Sequence, residues 1–114
     1  MINPSEIFPT HSDIAVVVGG HAIFKDDNEK IPTQFAVHVA LDKTPNPLLV
    51  KIPWNNETIP QIKSLKNTML NSPNYLCGVT FVNLKIEYYD FVTKDKKHVF
   101  GYKATATGIK EIIP

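Results

Sequence analysis

The chain of 114 residues contains no arginine; all twelve of its basic residues are lysine. Lysine is a compact point charge on a flexible stem, so the planar, two-pronged contact that reads guanine edges is not available to this protein. Cysteine occurs once, at Cys77, which excludes an internal disulfide and any cysteine-rich zinc site. Long apolar runs are missing too. The stretch Ile14–Val18 falls far short of the roughly 20 residues that a bilayer-spanning helix needs. The opening residues, MINPSEIFPT, show no basic start followed by an apolar stretch. No secretory signal is therefore expected, and the sequence reads as cytoplasmic, with no membrane partner.

What is present is enough for one core. A chain of this length with 43% hydrophobic residues can bury an interior without staples. The charge is unevenly placed. Residues 1–60 hold four Lys and seven Asp or Glu, a net −3, whereas residues 61–114 hold eight Lys and four Asp or Glu, a net +4. A near-neutral chain with one basic half suits a localised anionic partner.

Five segments carry strand patterns and one carries a helix pattern. The first, Asp13–Phe24, is β-branched, with Gly19-Gly20 in its middle, the signature of a bulge or sharp bend. The second, Gln34–Leu41, alternates Phe35, Val37, Val39 and Leu41 with smaller or polar residues. In the third, Leu48–Trp54, Leu48, Val50, Ile52 and Trp54 share one face, Leu49 and Lys51 the other, and Pro53 suggests a sheet edge. A helix over Thr58–Leu70 follows. Thr58 and Gln61 have capping-box spacing, and Ile62, Leu65, Met69 and Leu70 form the apolar stripe. The fourth strand segment, Gly78–Val92, is long. Val82, Leu84, Ile86 and Tyr88 are expected inside; Phe81, Asn83, Lys85, Glu87, Tyr89 and Phe91 outside. The fifth, His98–Ile109, alternates Phe100, Tyr102, Ala104 and Ala106 with Val99, Lys103, Thr105 and Thr107.

Three strands, a helix and two strands fit a mainly β fold: a five-stranded, OB-like Greek-key barrel with one helix between its third and fourth strands. Residues 13–112 would form the barrel and residues 1–12 an N-terminal extension, all within one domain. The phrases LLVKIPW, GVTFVNLKIEYYDF and VFGYKATATGI resemble small OB-type single-stranded-DNA-binding accessory proteins of Gram-positive plasmids, phages and integrative elements. That resemblance implies DNA handling during replication or conjugative transfer. It covers residues 13–112 in layout, its shared phrases are short, and none of them is catalytic.

Enzyme chemistry finds no support in the sequence. His11, His21, His38 and His98 are scattered, with no H-E-x-x-H and no second cysteine. His21 and His38 lie on neighbouring segments, but a full metal site there needs a further ligand, so no metal and no cofactor is expected. Asp26, Asp27, Asn28 and Glu29 lack calcium-loop spacing and read as a solvated turn. Gly19-Gly20 is followed by neither Lys-Ser/Thr nor a helix, so it is no phosphate loop. Cys77 reads as a small buried thiol at a strand start.

Binding of single-stranded nucleic acid needs cations along a groove and aromatic faces for base stacking. The candidates for stacking are Phe81, Tyr89, Phe91 and Trp54. Those for phosphate contact are Lys51, Lys85, Lys103 and the turn lysines Lys94, Lys96 and Lys97. DNA is favoured over RNA, sequence preference should be weak, and no small-molecule substrate is expected. The alternative use of the same aromatic face is a protein interface, as a homo-oligomer or adaptor module.

Overall fold

The computed structural model describes residues 2–26, 28 and 30–114. Asp27 and Glu29, and with them half of the acidic turn, lie outside the described residues. The chain runs α1 (Pro4–Ile7), β1 (Ala15–Ile23), β2 (Gln34–Val39), β3 (Leu48–Pro53), α2 (Thr58–Asn71), a single 3-10 turn (Pro73–Tyr75), β4 (Cys77–Val82), β5 (Lys85–Val92), β6 (His98–Thr105) and β7 (Gly108–Ile113). The strands form one mixed sheet in the order β5-β6-β3-β2-β1-β4-β7. Every neighbouring pair is antiparallel except β3 and β6, which meet in parallel over Val50–Ala104 and Lys51–Thr105.

The mainly β expectation holds, but the sheet is an open one of seven strands in place of a closed five-stranded barrel. The strand count differs because two neighbouring segments bend. The fourth segment divides at Asn83-Leu84 into β4 and β5, and the fifth divides beside it at Ala106-Thr107 into β6 and β7. Asn83 has φ 53°, in the left-handed region that asparagine tolerates better than most residues. Thr107 ties the two bends together: its N–H donates to Val82 O at 2.9 Å, and its hydroxyl accepts from Asn83 Nδ2 at 3.3 Å. Below the bend, β4 pairs with β1 and β7; above it, β5 pairs with β6, and β6 with β3.

The bend also changes which side chains face inward. In β4 the odd positions Cys77 and Val79 are buried and Phe81 packs on the core; in β5 it is the even position Ile86, with Leu84 beside it. The expected inward set is therefore half right. Leu84 and Ile86 turn inward, whereas Val82 and Tyr88 are exposed, Tyr88 by 52%.

In β2 and β3 the alternation is followed closely, whereas in β6 Phe100 and Tyr102 are exposed and only Ala104 is buried. Phe35, Val37 and Val39 of β2 and Leu48, Val50 and Ile52 of β3 are buried, whereas Leu49 and Lys51 are exposed. The register of β1 against β2 slips between Val17 and Gly19, so the bulge falls at Val18, directly before the glycine pair. Pro53 lies beyond the last β3–β6 pair, Lys51–Thr105, so its missing N–H costs the sheet nothing on that side.

Helix α2 buries Thr58, Ile62 and Leu65 on the core, with Met69 beside them, but Leu70 is 71% exposed. The capping box does not form. Asn55 Oδ1 accepts from Glu57 N and Thr58 N, both at 2.9 Å, while the Thr58 hydroxyl donates to Pro53 O at 2.6 Å. Gln61 turns away to β7, where its Oε1 accepts from Ile109 N at 2.7 Å. The N-terminal residues are built into the interior: Phe8 is fully buried, Ile2 N donates to Ile86 O, and Asp42 N donates to Ile7 O. Among the described residues, no helix is long and apolar enough to cross a membrane.

Candidate nucleic-acid interface

Cross-strand pairing in a sheet places directly opposite residues on the same face. The register therefore defines a row that crosses five strands: His21 of β1, Ala36 of β2, Lys51 of β3, Thr105 of β6 and Lys85 of β5. Lys51 and Lys85 flank Thr105 from either side. Along β5 the same face carries Lys85, Glu87, Tyr89 and Phe91, opposite Thr105, Lys103, Gly101 and Val99 of β6.

This face is concave. A cavity of about 510 Å³ is lined by Leu49 and Lys51 from β3, Lys103 and Thr105 from β6, and Lys85, Glu87 and Tyr89 from β5, together with Pro47, Tyr102 and Ala104. A second cavity, of about 700 Å³, shares Lys51, Lys85 and Thr105 with the first and continues to Gln34, Pro53, Asn83 and Thr107. Together they form one open trough with two lysines at its waist.

Lys103 Nζ stands 3.4 Å from Glu87 Oε2, and both side chains are mostly in water. An exposed pair of this kind is worth little, so Lys103 is held only loosely. Lys51 and Lys85 make no ion pair among the described residues. The trough thus offers three lysines against one carboxylate, with the phenol of Tyr89 and the apolar surfaces of Leu49 and Pro47 alongside.

Of the ten residues expected to bind, Lys51, Lys85, Tyr89 and Lys103 line the trough. Phe91 shares the β5 face with Tyr89, their ring centres 6.1 Å apart, and is exposed just beyond it. Lys94, Lys96 and Lys97 are exposed in the tight turn at the tip of the β5–β6 hairpin, outside the cavities. The remaining two lie elsewhere, each half-buried. Phe81 packs against the core, because the Asn83 bend reverses the phase upstream of β5. Trp54 also packs against the core, in phase with Val50 and Ile52, and lines neither cavity.

Gly101 was not singled out from the sequence. It sits opposite Tyr89, and a Cβ there would come 2.9 Å from the Tyr89 hydroxyl oxygen and 3.2 Å from Cζ. The missing side chain is the space over which the Tyr89 ring lies. A glycine inside an otherwise β-branched and aromatic strand was the available signal. Gly101→Val is expected to displace Tyr89 and lower affinity for an oligonucleotide about three- to tenfold, the loss of part of one stacking contact. Affinity by fluorescence anisotropy and fold by circular dichroism check it.

Three titratable groups are shifted in this sheet; one is the Tyr88 phenol, raised first by desolvation and then by Asp90 and Tyr102. The His38 imidazole lies below its ordinary value, first through burial and then through the neighbouring His21. Burial pushes the Cys77 thiol up, in keeping with an unreactive sulfur at the start of β4. The chain matches no protein-family model, no curated protein and no solved structure.

Proposed function

We propose that this protein is a non-enzymatic, single-stranded nucleic-acid-binding protein, DNA favoured, of low sequence specificity, and that the β3–β6–β5 trough is its binding face. The observation that carries the reading is the convergence of Lys51, Lys85, Lys103 and Tyr89, from three strands, on one open channel. A channel with lysines along its floor and a ring at its side matches what a backbone and its bases require. The absence of arginine argues for contact with phosphates over readout of base edges.

The architecture we propose behind it is OB-like. Three features support this: β1 meets the fourth segment through β4, β3 meets the fifth in parallel through β6, and α2 lies between the third and fourth segments. A role in replication or transfer of a mobile element rests on the sequence phrases alone.

A second reading has its own observation. The opposite face of the β5–β6 hairpin exposes Tyr88, Phe100 and Tyr102, with Tyr88 and Tyr102 edge to face at 5.6 Å. Exposed aromatics of this kind suit a homo-oligomer or adaptor. One experiment separates the two: titration of a labelled thymidine oligonucleotide, read by anisotropy at about 50 and 200 mM salt. With three lysine–phosphate contacts on a single strand, affinity is expected to fall about twentyfold over that range. No binding at either salt, with a mass that falls on dilution, favours the oligomer.

A further inference from the structure

The pairing of β1 with β2 brings together two imidazoles that the trough does not use. His21 faces Ala36 and His38 faces Gly19 across the ladder, so both histidines stand on the outer face of the sheet, one diagonal step apart. The two small residues make room for them. A Cβ on Gly19 would lie 3.4 Å from His38 Nδ1, at the limit of ordinary contact. Nδ1 of His21 and Nε2 of His38 point at each other, 2.6 Å apart, with the ring planes at 76° and the ring centres 4.8 Å apart.

Two ring nitrogens aimed at one point hold either a proton or a metal ion. With one proton between them, one ring donates an N–H and the other accepts it. With a metal in its place, both lone pairs converge on the ion. Metal–imidazole bonds of about 2.0–2.1 Å set two cis nitrogens about 2.9 Å apart at a right angle and about 3.3 Å apart at a tetrahedral angle. The observed 2.6 Å is therefore short by about 0.3 Å for the right angle and about 0.7 Å for the tetrahedral one. His21 is exposed and His38 half-buried, so small side-chain rotations open it.

We infer that His21 and His38 form a bis-imidazole chelate for a divalent late-transition-metal ion. Among the described residues no group of three His, Cys, Asp or Glu donors is assembled, so water supplies the remaining positions. Imidazole favours copper, nickel and zinc over hard cations, and the Irving–Williams order places copper(II) first. The site lies on β1 and β2, toward the middle of the sheet, outside the residues that line the trough, and does not depend on the nucleic-acid reading.

Calorimetric titration of the full chain with copper(II), zinc(II) and magnesium(II) chlorides, in a buffer that does not bind metal, tests it. One copper per chain is expected, with zinc weaker and magnesium giving no binding. His21→Ala and His38→Ala should each weaken copper binding about tenfold or more, because a chelate loses its second, effectively intramolecular contact. The double variant should lose little beyond either single one, since the remaining imidazole is then an ordinary ligand. His11→Ala and His98→Ala should change nothing. A measurement independent of substitution is the imidazole nitrogen NMR spectrum with zinc(II), in which His21 Nδ1 and His38 Nε2 should shift together. No copper binding, copper binding unchanged by His21→Ala, or zinc shifts confined to His11 or His98 would overturn the chelate.

Discussion

Replacing Lys51 and Lys85 together by glutamate is expected to weaken binding of a thymidine oligonucleotide about a hundredfold at low salt, at roughly tenfold, or about 1.4 kcal/mol, per lost contact. Both side chains line both halves of the trough, and neither is neutralised by an ion pair among the described residues. Their exposure means that the substitution leaves the core untouched. The salt dependence gives a sharper signature than affinity alone. Two contacts at about 0.7 each should make the slope of log affinity against log salt shallower by about 1.4. Lys63→Glu with Lys110→Glu imposes the same change of net charge on exposed positions away from the trough. That control should keep most of the affinity and the original slope. Equal losses in the two double variants would mean that only overall charge matters.

Phe8→Ala is expected to cost about 3–5 kcal/mol of stability, the usual range for removing a buried phenylalanine. Phe8 has no exposed surface and belongs to the same buried cluster as Val17, Val37 and Ile52. Its backbone is fixed too, because Phe8 N donates to Pro4 O at 2.9 Å and Phe8 O accepts from His11 N at 3.0 Å. The cavity cannot easily collapse against a segment held at both ends. Total stabilities of about 5–15 kcal/mol make such a loss a large fraction of the whole. Urea unfolding should show it directly, and the melting temperature should fall by roughly 12–20 °C. A shift of a degree or two would mean that the N-terminal segment contributes nothing to the core.

Phe8 also shows where the sequence stops being legible. The short pair Ile7-Phe8 between prolines and polar residues carries no periodicity, so nothing local distinguishes a buried ring from an extension. The strands with clean alternation were readable to the residue: Phe35, Val37 and Val39, then Leu48, Val50 and Ile52, lie inside as the period of two requires. Gly19-Gly20 pointed to a bulge or bend, and a bulge lies directly before the pair, at Val18.

The fourth segment failed for a different reason. Its hydropathy alternates without a break across Asn83, so a single phase extends through it on paper. A left-handed φ at one residue resets that phase, and hydropathy does not record a dihedral angle. That one residue turned Phe81 toward the core, against which it packs half-buried, exposed Val82 and produced two strands where one was expected. The trough survived the error because Lys85 and Tyr89 lie downstream of the bend, and Lys51 and Lys103 lie on other strands. The helix start misled in a smaller way. Thr58 and Gln61 have the right spacing to cap one another, but tertiary partners at Pro53 and Ile109 claim both side chains, and Asn55 caps the helix.

The most direct measurement of whether the trough is the binding face is an amide NMR titration of the wild-type protein with an unlabelled thymidine oligonucleotide at low salt. Shifts should concentrate at Leu49–Lys51, Lys85–Phe91 and Gly101–Thr105, and amides of α2 and of β7 should stay in place. Saturable shifts confined to α2 or β7, or no shifts in a folded protein, would contradict the assignment of this face.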